Sequence, residues 1–181
     1  MLRILNKLRK IGVVTEAPPR RPRPALEDVS ERLRREIAGR FSGSLAIRHV
    51  DAGSCNGCEL EIHALNNAVY DVERCGVQFV ASPRHADMLL VTGPVSRHME
   101  AALRRAYAAV PAPKLVVAVG DCGADGGEFG ISYASCGAVG NVIPVDAVVR
   151  GCPPTPADLM SAILDAIQAR YREAAAFPPP P

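Results

Sequence analysis

Two runs, Met88–Val91 and Leu115–Val119, are apolar at every position. A strand with one wet face alternates apolar with polar side chains, so runs of this kind must be covered on both faces. Leu45–Val50, Val77–Ala81 and Val142–Val149 read as further strands, and the second apolar run extends back to Lys114. Between and after them, Glu59–Tyr70, Ser96–Val110 and Ala157–Tyr171 carry helical periodicity. Short doubly buried strands alternating with helices predict an α/β fold, a mostly parallel sheet sandwiched by helices. The chain contains no internal repeat and neither a GxGxxG nor a GxxxxGK[ST] sequence, so no nucleotide-binding motif accompanies that fold class.

The flanks differ from this body. Residues 1–16 place Leu2, Leu5, Leu8 and Ile11 three apart with Arg3, Lys7, Arg9 and Lys10 between them, which predicts a basic amphipathic helix that docks or anchors the chain, with an ordinary helix packed on its own domain as the other reading. Charges every few positions argue against a secretory signal, which needs an unbroken apolar core. Residues 17–25 contain APPRRPRPA, a Pro/Arg linker that can be neither helix nor central strand. A partly charged helix is expected over Leu26–Ala38, closing near Gly39. The folded domain is expected over 26–173, and 174–181 as a proline-rich tail. The net charge of +2 hides an asymmetry, because residues 1–50 hold 12 Lys/Arg against 5 Asp/Glu while 51–181 hold 9 against 14. A basic leader on an acidic body suits an anionic membrane or an acidic protein surface. With four Phe, four Tyr and no Trp, base-stacking platforms are scarce, and no nucleic-acid partner is expected.

Six cysteines in 181 residues are too sparse for a disulfide framework and point to ligands, redox chemistry or buried thiols in a reducing compartment. Three motifs follow predicted strands: Asp51-Ala52-Gly53-Ser54-Cys55-Asn56-Gly57-Cys58, Gly120-Asp121-Cys122-Gly123 and Gly151-Cys152-Pro153-Pro154. In an open α/β sheet, ligands collect beyond the carboxyl ends of the strands, so Cys55, Cys58, Cys122 and Cys152 can meet at one rim. Glycine beside a ligand cysteine lets the backbone bend closely around an inorganic cluster and aim N–H groups at sulfur. A four-cysteine iron–sulfur site, a structural zinc site and four unliganded thiols all remain open on spacing alone. Cys75 falls at the amino end of its strand and reads as a buried thiol; Cys136 sits in mid-loop in Ser135-Cys136-Gly137, and Cys122 is preferred to it.

These motifs, with Ser82-Pro83-Arg84-His85-Ala86-Asp87, Thr92-Gly93-Pro94-Val95-Ser96 and Thr155-Pro156, resemble the electron-transfer small subunit of membrane-bound, energy-converting [NiFe] hydrogenases, a family related to the B-type subunit of respiratory complex I. The similarity spans about Leu45 to Gln168. It implies a flavodoxin-like domain with one [4Fe–4S] cluster held by Cys55, Cys58, Cys122 and Cys152. The NiFe centre is expected on a partner large subunit. Ferredoxin-like iron–sulfur subunits and membrane-embedded subunits are the other expected partners, and the cytoplasmic face of the cell membrane the expected location. The chain would relay electrons within an oxidoreductase and hold no complete active site. The CxxC at Cys55 and Cys58 resembles the hydrogenase branch, since the complex I branch has two adjacent cysteines. A complex I-like NADH/quinone oxidoreductase B-type subunit and a scaffold stabilised by zinc on the four cysteines are the alternatives. Glu59, directly after a ligand, is a candidate proton relay, or else a first-turn glutamate favouring its helix. Arg84 and His85 fall in a segment resembling the family's interface loop, with a plain solvated loop as the other reading. His63 and His98 are read as ordinary helical residues.

Overall fold

The computed structural model describes residues 26–176, with side chains to Arg172; the amphipathic segment 1–16, the linker 17–25 and residues 177–181 lie outside the described residues. The fold opens with α1 (Leu26–Arg40), followed by β1 (Leu45–Asp51), α2 (Gly57–Ala64), β2 (Val77–Phe79) and β3 (Met88–Thr92). It continues through α3 (Arg97–Ala109), β4 (Leu115–Val119), the short α4 (Gly120–Asp125), β5 (Ala147–Val149) and α5 (Pro156–Ala176). All five strands of the sheet are parallel, in the order β2-β1-β3-β4-β5. That is the flavodoxin-like doubly wound order, whose topological switch point lies between β1 and β3.

The two-faced burial expected of the apolar runs is observed. Every residue of β3 and β4 is buried, and their side chains divide by parity between two cores. Met88, Leu90, Leu115, Val117 and Val119 face Val29, Leu33 and Ile37 of α1 and Leu159, Ile163 and Ile167 of α5. Leu89, Val91, Val116 and Ala118 face Leu103 of α3 and the segment carrying Val139, Val142 and Ile143. The period of two in a strand sends successive side chains to opposite faces, so each apolar run supplies both layers at once.

Four predicted boundaries are corrected. The helix expected over Glu59–Tyr70 stops at Ala64, because Asn67 Oδ1 accepts the N–H groups of Val69 and Tyr70 and turns the chain out of the helix. Val72–Cys75 then forms a single 3-10 turn. The strand expected over Val142–Val149 shrinks to its last three residues. Pro144 has no N–H for a ladder, and Val139–Asn141 forms a 3-10 turn instead. The edge strand β2 ends at Phe79 rather than Ala81, before the Ser82-Pro83 turn. At the other end, helix α5 continues to Ala176, past the point where the proline-rich tail was expected to begin.

Aspartates pin the strand entries. Asp87 donates its N–H to the Ala46 carbonyl (2.8 Å) while its Oδ2 accepts the Ala46 N–H (2.9 Å). Asp146 does the same to Val116 across β4 and β5, at 2.9 and 2.7 Å. Each carboxylate supplies an acceptor where the neighbouring strand has not yet begun, so no backbone donor at that entry goes unpaired.

Candidate metal centre

The site is built from three loops at the carboxyl ends of β1, β4 and β5. After β1, Asp51 Oδ1 accepts the N–H groups of Gly53 (2.8 Å) and Ser54 (2.9 Å), and Ser54 Oγ accepts that of Asn56 (3.1 Å). Asn56 takes a left-handed conformation, φ 71°, before the chain enters α2. This winding places Cys55 before the helix and Cys58 in its first turn. Cys122 comes from α4, which follows β4 without a loop, and Cys152 from the turn after β5.

One pocket gathers them: Cys55, Cys58, Cys122 and Cys152 line it together with Ser54, Gly57, Gly93, Asp121, Gly151 and Pro153. Gly120, at φ +80°, is packed so closely that a Cβ there would lie 2.7 Å from Cys58 Sγ. Cys58 is buried, Cys122 partly so, and Cys55 and Cys152 are exposed at the mouth. Burial, then Glu59 and the other three cysteines, push the Cys58 thiol up to about 12. Burial, then Cys152 and Cys55, also push the Cys122 thiol up. A metal held by Cys58 and Cys122 would have to displace their thiol protons. Among the described residues no group of three or more His, Cys, Asp or Glu side chains is disposed to hold a single metal ion. The donor set, all thiols around a glycine-lined cradle, fits an iron–sulfur cluster.

The other two cysteines do not line this pocket. Cys75 is buried in the α1/α5 core below the sheet's amino end. Cys136 is buried on the opposite face, its Sγ donating to Glu100 Oε2 at 3.4 Å. Arg84 and His85 form an exposed 3-10 turn, and His63 and His98 are exposed on their helices.

Glu59 is buried, and neither carboxylate oxygen has a hydrogen-bond partner among the described residues. The titratable group beside it is His49, whose Nε2 lies 3.8 Å from Oε1 and 3.1 Å from Thr92 Oγ1. Burial holds the His49 imidazole below its usual range, with Glu59 opposing. His49 also lines a cleft of about 310 Å³ with Arg48, Ile62, His63, Asn66, Phe79, Val80 and Ala81. That cleft is wider than the cysteine pocket but contains no thiol, so the cysteine chemistry lies elsewhere. Sequence reasoning missed His49, for which an ordinary β-strand position provides no signal. It also missed Asp51 and Asp121, whose places beside the cysteine motifs were a usable one.

Comparison with known proteins places these features in context. The sequence profile of the NADH ubiquinone oxidoreductase 20 kDa subunit family matches residues 55–166. Formate hydrogenlyase subunit 7 of Escherichia coli is 42% identical over 125 residues, 69% of this chain and 49% of that protein. The chain thus spans about half the length of that relative. A probable membrane-bound hydrogenase subunit mbhJ of Pyrococcus furiosus is 43% identical, covering 76% of this chain and 84% of its own. A B-type subunit of the NADH-quinone oxidoreductase of Herpetosiphon aurantiacus is 45% identical over 59% of this chain and 60% of its own. Among solved structures, a chain of the membrane-bound sulfane sulfur reductase, an archaeal respiratory membrane complex, superposes with a TM-score of 0.58 at 30% identity, covering 83% of this chain and 76% of that one.

Proposed function

The chain belongs to the NADH ubiquinone oxidoreductase 20 kDa subunit family, and from that premise we propose that it is the iron–sulfur electron-transfer subunit of a membrane-associated, hydrogenase-type oxidoreductase complex. Cys55, Cys58, Cys122 and Cys152 would hold one [4Fe–4S] cluster. The observation that carries this reading is their convergence, from three separate loops, on one pocket at the carboxyl rim of the sheet. A bound cluster supplies reversible one-electron storage. The chain's own residues set its surroundings: Asp51 winds the first ligand loop, Gly120 leaves room beside Cys58 Sγ, and the buried helix start shields Cys58. Bond-making chemistry belongs, on this reading, to a NiFe large subunit, with ferredoxin-like subunits on the other side. Glu59, with His49 at 3.8 Å, is the residue proposed to relay protons beside the cysteine pocket. Residues 1–16 are proposed to hold the complex at the cytoplasmic face of the membrane.

Anaerobic purification of the full chain, with iron, sulfide and zinc analysis and EPR of the dithionite-reduced protein, tests the cluster. Four iron per chain and a reduced cluster signal are expected, lost in Cys55→Ser, Cys58→Ser, Cys122→Ser or Cys152→Ser and retained in Cys136→Ala and Cys75→Ala. A colourless zinc protein would replace this reading with that of a zinc-stabilised scaffold. Glu59→Gln is expected to slow hydrogen evolution by the complex while leaving the EPR signal intact; an unchanged rate would remove the relay.

The identity of 45% to a B-type NADH-quinone oxidoreductase subunit supports a second reading, a quinone-reducing complex. Nickel analysis of the purified complex separates the two.

A further inference from the structure

The aspartate device that pins the strand entries occurs a third time, at the opposite end of the sheet. Asp121 donates its N–H to the Gly151 carbonyl at 3.0 Å, and its Oδ1 accepts the Gly151 N–H, also at 3.0 Å. The pairing continues the β4/β5 register, in which Val119 lies opposite Val149, two residues past the last ladder pair. Here, however, the two clipped residues stand immediately before Cys122 and Cys152.

A second link runs in parallel. Arg150 pairs closely with Asp125 Oδ2, and its Nη1 lies 3.9 Å from Asp121 Oδ1. Asp125 Oδ1 in turn accepts the Gly127 N–H at 2.9 Å. Gly127, at φ +50°, packs so tightly on the thiol that a Cβ there would lie 2.8 Å from Cys122 Sγ. Asp125 and Arg150 hold each other's charge, the carboxyl lowered by Arg150 and Gly127 and the guanidinium raised by Asp125. Exposed ion pairs of this kind contribute little to global stability. Their place here is local, since they tie together the two ligand loops that carry a single cysteine each.

We propose that Asp121 and Arg150 are positioning residues for the metal centre: they clip the Cys122 and Cys152 loops at one separation, and Arg150 offsets the carboxylate charge of Asp121 and Asp125 that would otherwise oppose electron uptake by what those loops hold. The inference rests on the reading of Cys122 and Cys152 as cluster ligands. Cys55 and Cys58 need no such clip, because α2 and the Asp51 turn already join them covalently and by hydrogen bonds.

The test uses the full chain carrying its cluster, with iron release to a chelator, EPR line shape and midpoint potential as readouts. Asp121→Ala removes the side-chain acceptor and is expected to release iron at least tenfold faster and to alter the EPR signal. Asp121→Asn retains an acceptor oxygen and is expected to restore slow release. Arg150→Ala is expected to lower the midpoint potential, and Arg150→Lys to restore it. Alanine variants matching the wild type in all three readouts would overturn the proposal, as would Asn and Lys variants as impaired as the alanine ones. A wild-type chain without iron would instead overturn the cluster reading itself.

Discussion

Gly120 sits at φ +80° with Cys58 Sγ filling the space a Cβ would need. An L-residue in that region costs about 1–2 kcal/mol before any contact is counted. Gly120→Ala is therefore expected to destabilise the chain by at least that much in denaturant titration, and to lose iron as well, because the displaced atom is the sulfur of a proposed cluster ligand. His49 makes a separate prediction. Burial depresses its folded pKa below 6.5, so the unfolded chain binds the proton more readily. Its contribution to stability is complete above pH 6.5 and is lost as pH falls through the lower folded value. His49→Gln is expected to flatten that part of the stability curve, read as the denaturant midpoint on either side of that value; an unchanged slope would exclude His49 as its source. At this scale the meeting of four cysteines in one pocket was legible, because motifs that follow strands collect at the carboxyl rim and glycine neighbours mark tight turns. The His49–Glu59 contact was not, because it joins a strand to the helix that follows it, across the wound ligand loop.

Element boundaries follow local hydrogen-bond competition. Ser96 caps α3, its Oγ accepting the Met99 N–H at 3.3 Å, and Ser96→Ala is expected to cost about 1 kcal/mol. Leu33 is fully buried in α1 against the sheet, and Leu33→Ala is expected to cost about 2–5 kcal/mol. Thermal or denaturant unfolding of the two variants checks the ranking, and a cap variant as damaging as the core variant would contradict it. The start of α3 could be read from Ser96, since a cap is a property of a few consecutive residues. The early end of α2 was missed because Asn67 competes with the helix by a side-chain bond that apolar periodicity does not register. The short β5 was missed for a related reason, with apolar residues on both sides of Pro144 imitating a longer strand.

Across the whole molecule, the acidic body and the basic leader make a prediction about attachment. The full chain is expected to bind anionic vesicles and to release them as salt rises toward 1 M, where screening acts within about 3 Å. Deletion of residues 1–16 is expected to abolish binding; vesicle sedimentation that is unchanged by the deletion would assign attachment to another surface. The α/β class, the strand sequence and the meeting of the four cysteines at one rim were all accessible from the sequence by itself, because burial periodicity and the placement of a motif directly after a strand are local properties that each segment carries with it. Only the tertiary structure decided that β1 lies between β2 and β3 and that Gly151 is clipped by Asp121. It also decided that Cys136, which imitates a ligand motif, faces Glu100 away from the pocket. These are relations between segments tens of residues apart, and they arise when strands choose neighbours by burying both faces together, a choice that no single segment contains.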